Sequence, residues 1–334
     1  MSTDPTALRS VALADRARGD RPEPSITGRR SLGDRGFELA ALLAGLSVLA
    51  ILALIAVSTT KEAWPILSDR PGQFFFSTRW APNDNHFGVL AFVYGSVVTS
   101  AVAIFLAVPV SIGVALFVTE IAPRWLRRPV VYMLDLLAVI PSVVFGLWGV
   151  LVLAKPAGRF YQHVSDALGG VQLLGSLFGG KASGVSFFTA GLILAIMILP
   201  IISSLTREVF ATTPQAEKEA ALALGATRWE MIRGAVFPHS KGGMVGAITL
   251  GLGRAMGETI AVALVIGSSA QVTSRLFSTG DSLPAVIANQ FGEASGLARA
   301  ALIGCGVVLF ALTILVNITA TRLVQRSIRK SRGA

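Results

Sequence analysis

Six apolar stretches, each about as long as a bilayer is thick, dominate the chain: residues 38–59, 91–118, 130–153, 184–206, 243–269 and 296–320. A helix needs ~20 apolar residues to cross the hydrocarbon core, and its backbone polar groups must be satisfied inside the segment. Each stretch is therefore expected to be a spanning helix, and the chain an all-α polytopic membrane protein with six transmembrane helices. Composition agrees, because 53% of the 334 residues are hydrophobic and only 14% charged, which excludes an ordinary soluble domain. The first stretch begins too late and runs too long to be the core of a cleaved signal peptide.

Six spans place both termini on one side, and the basic residues say which. Arginine and lysine cluster in residues 1–36, 119–129, 207–241 and the C-terminal tail, 20 in all, against 8 in the segments between, with Arg254 inside a span. By the positive-inside rule the 20 lie in the cytoplasm. The net charge of +10 is thus a topology signal; it forms no stripe with interleaved aromatics of the kind that binds nucleic acid. Residues 1–36 are expected to be a disordered arginine-rich tail, 37–325 the membrane domain, and 326–334 a basic cytoplasmic tail. The outer loops become 60–90, 154–183 and 270–295, within which Ser165 and Ser282 are expected to be accessible from outside. Trp64, Phe74, Phe75, Phe76, Trp80 and Phe87 are expected to anchor the first of them at the interface. A single cysteine, Cys305, rules out an internal disulfide.

The inner loop 207–241 differs from its short basic counterpart in being alanine-rich and helix-forming. Residues 215–224 are expected to form a short helix that Gly225 ends through a left-handed turn, followed by a second helix that Pro238 stops. Glu219, Ala220, Ala221, Gly225 and Pro238 keep the spacing of the EAA loop of ABC importer permeases, although Ala235 and Phe237 stand where that family prefers Ile and Leu. The resemblance implies that Glu219, Ala220, Ala221, Gly225 and Pro238 couple this chain to a separate ATPase subunit. An amphipathic connector packed on its own bundle would show the same alanines, but not the full spacing.

The fifth span carries Gly251–Thr259, reading G-L-G-R-A-M-G-E-T. Arg254 lies roughly 20 Å along a helix from Lys241, near mid-bilayer. An arginine there costs at least ~2.5 kcal/mol, so it must face protein or water, and such residues usually mark a substrate path. Its guanidinium offers forked donors to two oxyanion oxygens and stays charged. Glu258, four residues on, is expected on the same helix face, able to pair with Arg254 when no anion is present. An ion pair joining two subunits would use the same residues. Gly253 and Gly257 give another helix close approach or leave room for a pathway. The third span is expected to break at Pro141–Ser142, and Leu199–Pro200 can act likewise. Ser142, Ser203 and Ser204 are candidate anion donors, although serines in spanning helices more often bond their own backbone. Asp135 is assigned to the cytoplasmic interface. Gly175–Lys181, G-S-L-F-G-G-K, imitates a phosphate loop but has Ala182 in place of the magnesium-binding hydroxyl and no strand before it.

Together with Ile140–Gly149, Leu199–Ile202 and Ala288–Ala301, these motifs resemble the PstC-type permeases of phosphate ABC importers over residues 87–325. The resemblance implies the type I (MetI-like) permease fold and a bacterial inner-membrane location with both termini inside. It also implies a pathway through Arg254, Glu258 and Ser142. The chain itself would bind no cofactor and no metal and would hydrolyse no ATP. Its partners would be a PstA-type permease, two PstB-type ATPase subunits that use the ATP, and a PstS-type phosphate-binding protein outside. Permeases for sulfate, molybdate or phosphonate are the near alternatives, and an ATP-independent channel or secondary transporter the distant one.

Overall fold

The computed structural model describes residues 32–332, so most of the arginine-rich tail lies outside the described residues. Contacts divide the chain into two compact units, residues 1–55 and 56–334. In the first, the described part belongs to helix α1 (Leu32–Asp69), which is apolar and exposed on every side as far as Ile55. A helix that is hydrophobic all round needs a membrane or a larger core around it.

Among the described residues of the second unit, the regular structure is helical apart from a two-stranded hairpin. Along the chain come α2 (Pro71–Phe76), β1 (Trp80–Ala81) paired antiparallel with β2 (His86–Phe87), α3 (Leu90–Ile121), α4 (Arg124–Val139) and α5 (Ser142–Leu168). There follow α6 (Gln172–Phe178), α7 (Phe187–Ala211), α8 (Gln215–Ala223), α9 (Arg228–Met231), α10 (Phe237–Gly257), α11 (Ile260–Val265), α12 (Leu283–Gln290) and α13 (Gly296–Arg332). Among the described residues, five helical segments are long and apolar enough to cross a membrane: Gly36–Asp69, Leu90–Ile121, Ser142–Leu168, Phe187–Ala211 and Gly296–Arg322. The fifth expected span falls on α10, where His239, Lys241, Arg254 and many glycines dilute the hydropathy.

The third expected span is not one helix. Pro141 disfavours helical geometry at the residue before it; Ile140 takes φ −61°, ψ 125°, so α4 ends at Val139 and α5 restarts at Ser142. The helix α5 then continues to Leu168, well into the loop expected outside. Pro200, by contrast, is accommodated within an unbroken α7, and the Ser111 hydroxyl of α3 donates to the Leu199 carbonyl at 3.1 Å. Small residues let α3 and α7 approach closely, as in other membrane bundles: a Cβ at Gly191 would sit 2.5 Å from Val102. Glycines of α10 also meet α7, Gly251 against Ile202 and Gly243 against Val209. The buried core lies among these helices and α11, centred on Phe187, Ile193, Ile198, Ile202 and Val265.

The aromatic cluster of the first outer loop divides. Phe74 and Phe87 are fully buried beneath Leu283, Val286 and Leu302, with Trp80 edge-on to Phe87 and Phe92. These rings are core, not interface anchors, whereas Trp64, Phe75 and Phe76 remain exposed.

Candidate substrate pathway and coupling surface

The helix carrying Arg254 ends sooner than the apolar run suggests. Gly257 closes α10, Glu258 turns extended at φ −70°, ψ 124°, and α11 starts at Ile260. The break overturns the expectation that Arg254 and Glu258 share a face of one helix. Among the described residues no ion pair joins them; instead a Glu258 carboxylate oxygen accepts the Ala261 N–H at 3.4 Å, capping α11. Breaking the helix points the carboxylate along the next helix axis, where free N–H groups attract it.

Arg254 and Glu258 nevertheless line one cavity of about 850 Å³. Gly242, Gly246, Gly253 and Gly257 of α10 contribute its glycine wall, Ile201 comes from α7, and Asn317 and Thr321 come from α13. A Cβ at Gly246, Gly253 or Gly257 would meet nothing within 4 Å, so this glycine stripe leaves room rather than packing a helix of the same chain. Arg254 is exposed to the cavity while Ala255 and Met256 beside it are buried. Sequence reasoning missed Thr249, Asn317 and Thr321. The signal was present, since an asparagine inside an apolar span calls for a polar environment, and Thr321 falls one turn on. Ser142 lies elsewhere, half-buried in the first turn of α5, and does not line this cavity. Ser204 bonds its own helix at Ile201, and Ser203 is buried with an unpartnered hydroxyl. Asp135 is exposed on α4.

On the expected cytoplasmic side, α8 spans Gln215–Ala223, and Gly225 follows in the left-handed region at φ +85°. Thr227 then starts α9 with a full capping box: its hydroxyl accepts the Glu230 N–H, and the Glu230 carboxylate accepts the Thr227 N–H at 2.8 Å. That backbone bond and the Thr227 hydroxyl hold the Glu230 carboxyl below its ordinary range. The T-R-W-E spacing was legible in the sequence. The second helix does not stop at Pro238. A wide π turn, Ile232–Val236, carries α9 directly into α10 with Pro238 in its first turn. A proline lacks the donor an α-helix needs and crowds the preceding turn, and the widened turn accommodates both defects.

One face of α8 is anchored. Ala221 is half-buried against a cluster that includes Leu116, Phe210 and Met231, and Lys218 donates to Glu120 at 2.6 Å. The opposite face, with Glu219, Ala220, Ala223, Leu224 and Gly225, is exposed; Leu224 is 90% exposed.

At the other end of the bundle, residues 266–282 fold into a plug. Its backbone carbonyls accept the N–H groups of Ser183, Phe187 and Phe188, Tyr94 donates to the Thr273 carbonyl, and Leu283 N–H reaches the Ser96 hydroxyl. Asp281 is buried in this plug, and burial pushes its carboxyl up to about 6 even though the Ser282 N–H bonds it. Ser165 and Ser282 are buried as well, which overturns their expected accessibility. The imitation phosphate loop begins inside α6, with Gly175 and Ser176 helical.

Residues 107–329 match the family described as the binding-protein-dependent transport system inner membrane component. The phosphate transport system permease protein PstC of Haemophilus influenzae is 40% identical over 301 residues, covering 89% of this chain and 94% of that protein. PstC of Xylella fastidiosa is 43% identical over 313 residues, covering 92% and 97%. PstC 2 of Mycobacterium tuberculosis is 43% identical over 293 residues, covering 86% and 90%. Among solved structures, a bacterial alginate ABC transporter aligns with a TM-score of 0.61 at 16% identity, over 90% of this chain and 99% of that one. The inward-facing MetNI methionine ABC transporter aligns with a TM-score of 0.54 at 18% identity, over 71% and 95%. These two likenesses concern the fold alone.

Proposed function

Since this chain belongs to the family of inner membrane components of binding-protein-dependent transport systems, we propose that it moves inorganic phosphate into the cytoplasm as one permease subunit of an ATP-driven importer. The observation that carries the reading is the cavity that gathers Arg254, Glu258 and Asn317 within a bundle whose relatives are phosphate permeases. Arg254 supplies forked, permanently charged donors to two phosphate oxygens. Glu258 is held at the mouth of α11 and balances that charge from within the same cavity rather than through a direct pair. Asn317 and Thr321 continue the polar lining along α13. Ser142, away from this cavity, serves the path at a different point, where α4 gives way to α5.

In this reading both termini lie in the cytoplasm, and the exposed face of α8 docks one of two ATPase subunits. A second permease completes the pathway, and an external phosphate-binding protein delivers the anion. ATP is consumed by the partner; the chain itself binds no cofactor. The test is radiolabelled phosphate uptake by inner-membrane vesicles with and without the chain, alongside copurification of an ATPase. Loss of uptake without the chain is expected. Uptake competed by sulfate, molybdate or phosphonate better than by phosphate would reassign the substrate, and uptake independent of ATP would reject the importer.

A further inference from the structure

We propose that the Lys218–Glu120 ion pair is the positioning contact through which the coupling helix α8 moves α3, and through α3 the wall of the anion cavity; this rests on the reading that α8 docks an ATPase. Three features single out the pair. The Lys218 ammonium donates to the Glu120 carboxylate at 2.6 Å, with the two side chains only 12% and 9% exposed, so water does little to loosen it. Lys218 and Ala221 are three residues apart on one face of α8, and Ala221 offers only a methyl group to the apolar cluster beneath. A short helix exposed on its other face is therefore tied to the end of α3 by one buried charge-assisted bond.

Glu120 is placed to receive motion. It sits in the wide final turn of α3, Phe117–Ile121, just before the chain leaves the helix at Ala122. A force on that carboxylate acts at the end of a long rigid element. From there α3 lies along α7, bonded through Ser111 and interlocked at Gly191. Further along α7, Ile202 fits against Gly251 of α10, three residues before Arg254. Tight packing of this kind shifts as a unit rather than deforming gradually.

The experiment uses the whole complex in proteoliposomes with the phosphate-loaded binding protein. It compares wild type with Glu120→Lys, Lys218→Glu, the charge-swapped double variant, Lys218→Arg, and the neutral pair Glu120→Gln with Lys218→Met. Read out are ATPase copurification, basal hydrolysis, phosphate-stimulated hydrolysis and uptake. Each single reversal is expected to retain the ATPase subunits and basal hydrolysis but to lose stimulation and uptake by about tenfold, within the usual range of coupling between sites. The swap and Lys218→Arg should restore most of both. The neutral pair, which buries no lone charge, should assemble yet remain uncoupled, and it keeps the test decisive if a reversal fails to fold. Normal stimulation in the neutral pair would overturn the proposal, as would loss of the ATPase subunits from it. A wild-type complex whose hydrolysis ignores phosphate would instead reject the underlying importer reading.

Discussion

Replacing Arg254 and Glu258 separately and together distinguishes a pathway cation from half of a structural ion pair. Two unit charges 4 Å apart interact by about 4 kcal/mol at an effective dielectric constant of 20 and by about 1 kcal/mol in water. The two groups form no contact within that distance, and Arg254 is exposed to the cavity. Their mutual energy should therefore fall below about 1 kcal/mol, or less than about a fivefold effect. On the proposed pathway, Arg254→Gln would remove charge-assisted bonds to the anion worth about 1.5–3 kcal/mol, so uptake should fall roughly 10- to 150-fold. Glu258→Gln keeps an oxygen to cap α11 and should reduce uptake more mildly. The measurement is initial-rate uptake of radiolabelled phosphate at matched levels of assembled complex, as a double-mutant cycle. Without a direct pair, the double variant should transport no better than Arg254→Gln. Recovery of wild-type uptake in the double variant would refute the pathway role, and a coupling energy above about 2 kcal/mol would refute the unpaired geometry.

At the elbow, a Cβ on residue 225 has nothing within 4 Å to meet, so Gly225→Ala carries only the left-handed backbone cost of about 1 kcal/mol. Coupled ATP hydrolysis should drop several-fold, and Gly225→Asn, which tolerates this conformation better, should drop it less. Because the buried Asp281 carboxyl is raised from 3.8 to about 6, ionising it opposes folding. Its contribution is favourable below the unfolded value and declines as pH rises through about 6, by about 3 kcal/mol. Asp281→Asn should therefore raise thermal stability at pH 7 and flatten its pH dependence between about 4 and 6, as followed by thermal unfolding in detergent. For topology, cysteines at exposed Asn83 and Lys181 in a Cys305→Ser background should react with an impermeant thiol reagent from outside, and one at Leu224 only after lysis; the reverse pattern would invert the orientation.

Much of the molecule could be read along the chain, because its strongest constraint is local. Apolar length alone dictates spanning helices, glycine alone permits the left-handed turn at residue 225, and the residue before Pro141 cannot easily stay helical. The spacing of Glu219 to Pro238 and the lone Arg254 likewise needed no partner to be conspicuous. What the chain could not reveal were outcomes of packing between distant segments. Hydropathy does not distinguish an aromatic ring anchored at an interface from one buried under α12 and α13, as Phe74 and Phe87 are. Periodicity placed Glu258 on the face of Arg254, but the helix breaks between them and the carboxylate caps α11. Pro238 stops a helix in isolation, yet a π turn ahead of it lets α9 run into α10. Asn317 joins Arg254, and Glu120 joins Lys218, only because helices far apart in sequence are folded side by side. Sequence determined where the chain could be helical and where it must turn; tertiary structure decided which polar groups meet, since the cost of leaving a buried charge or amide alone is settled by its neighbours in space.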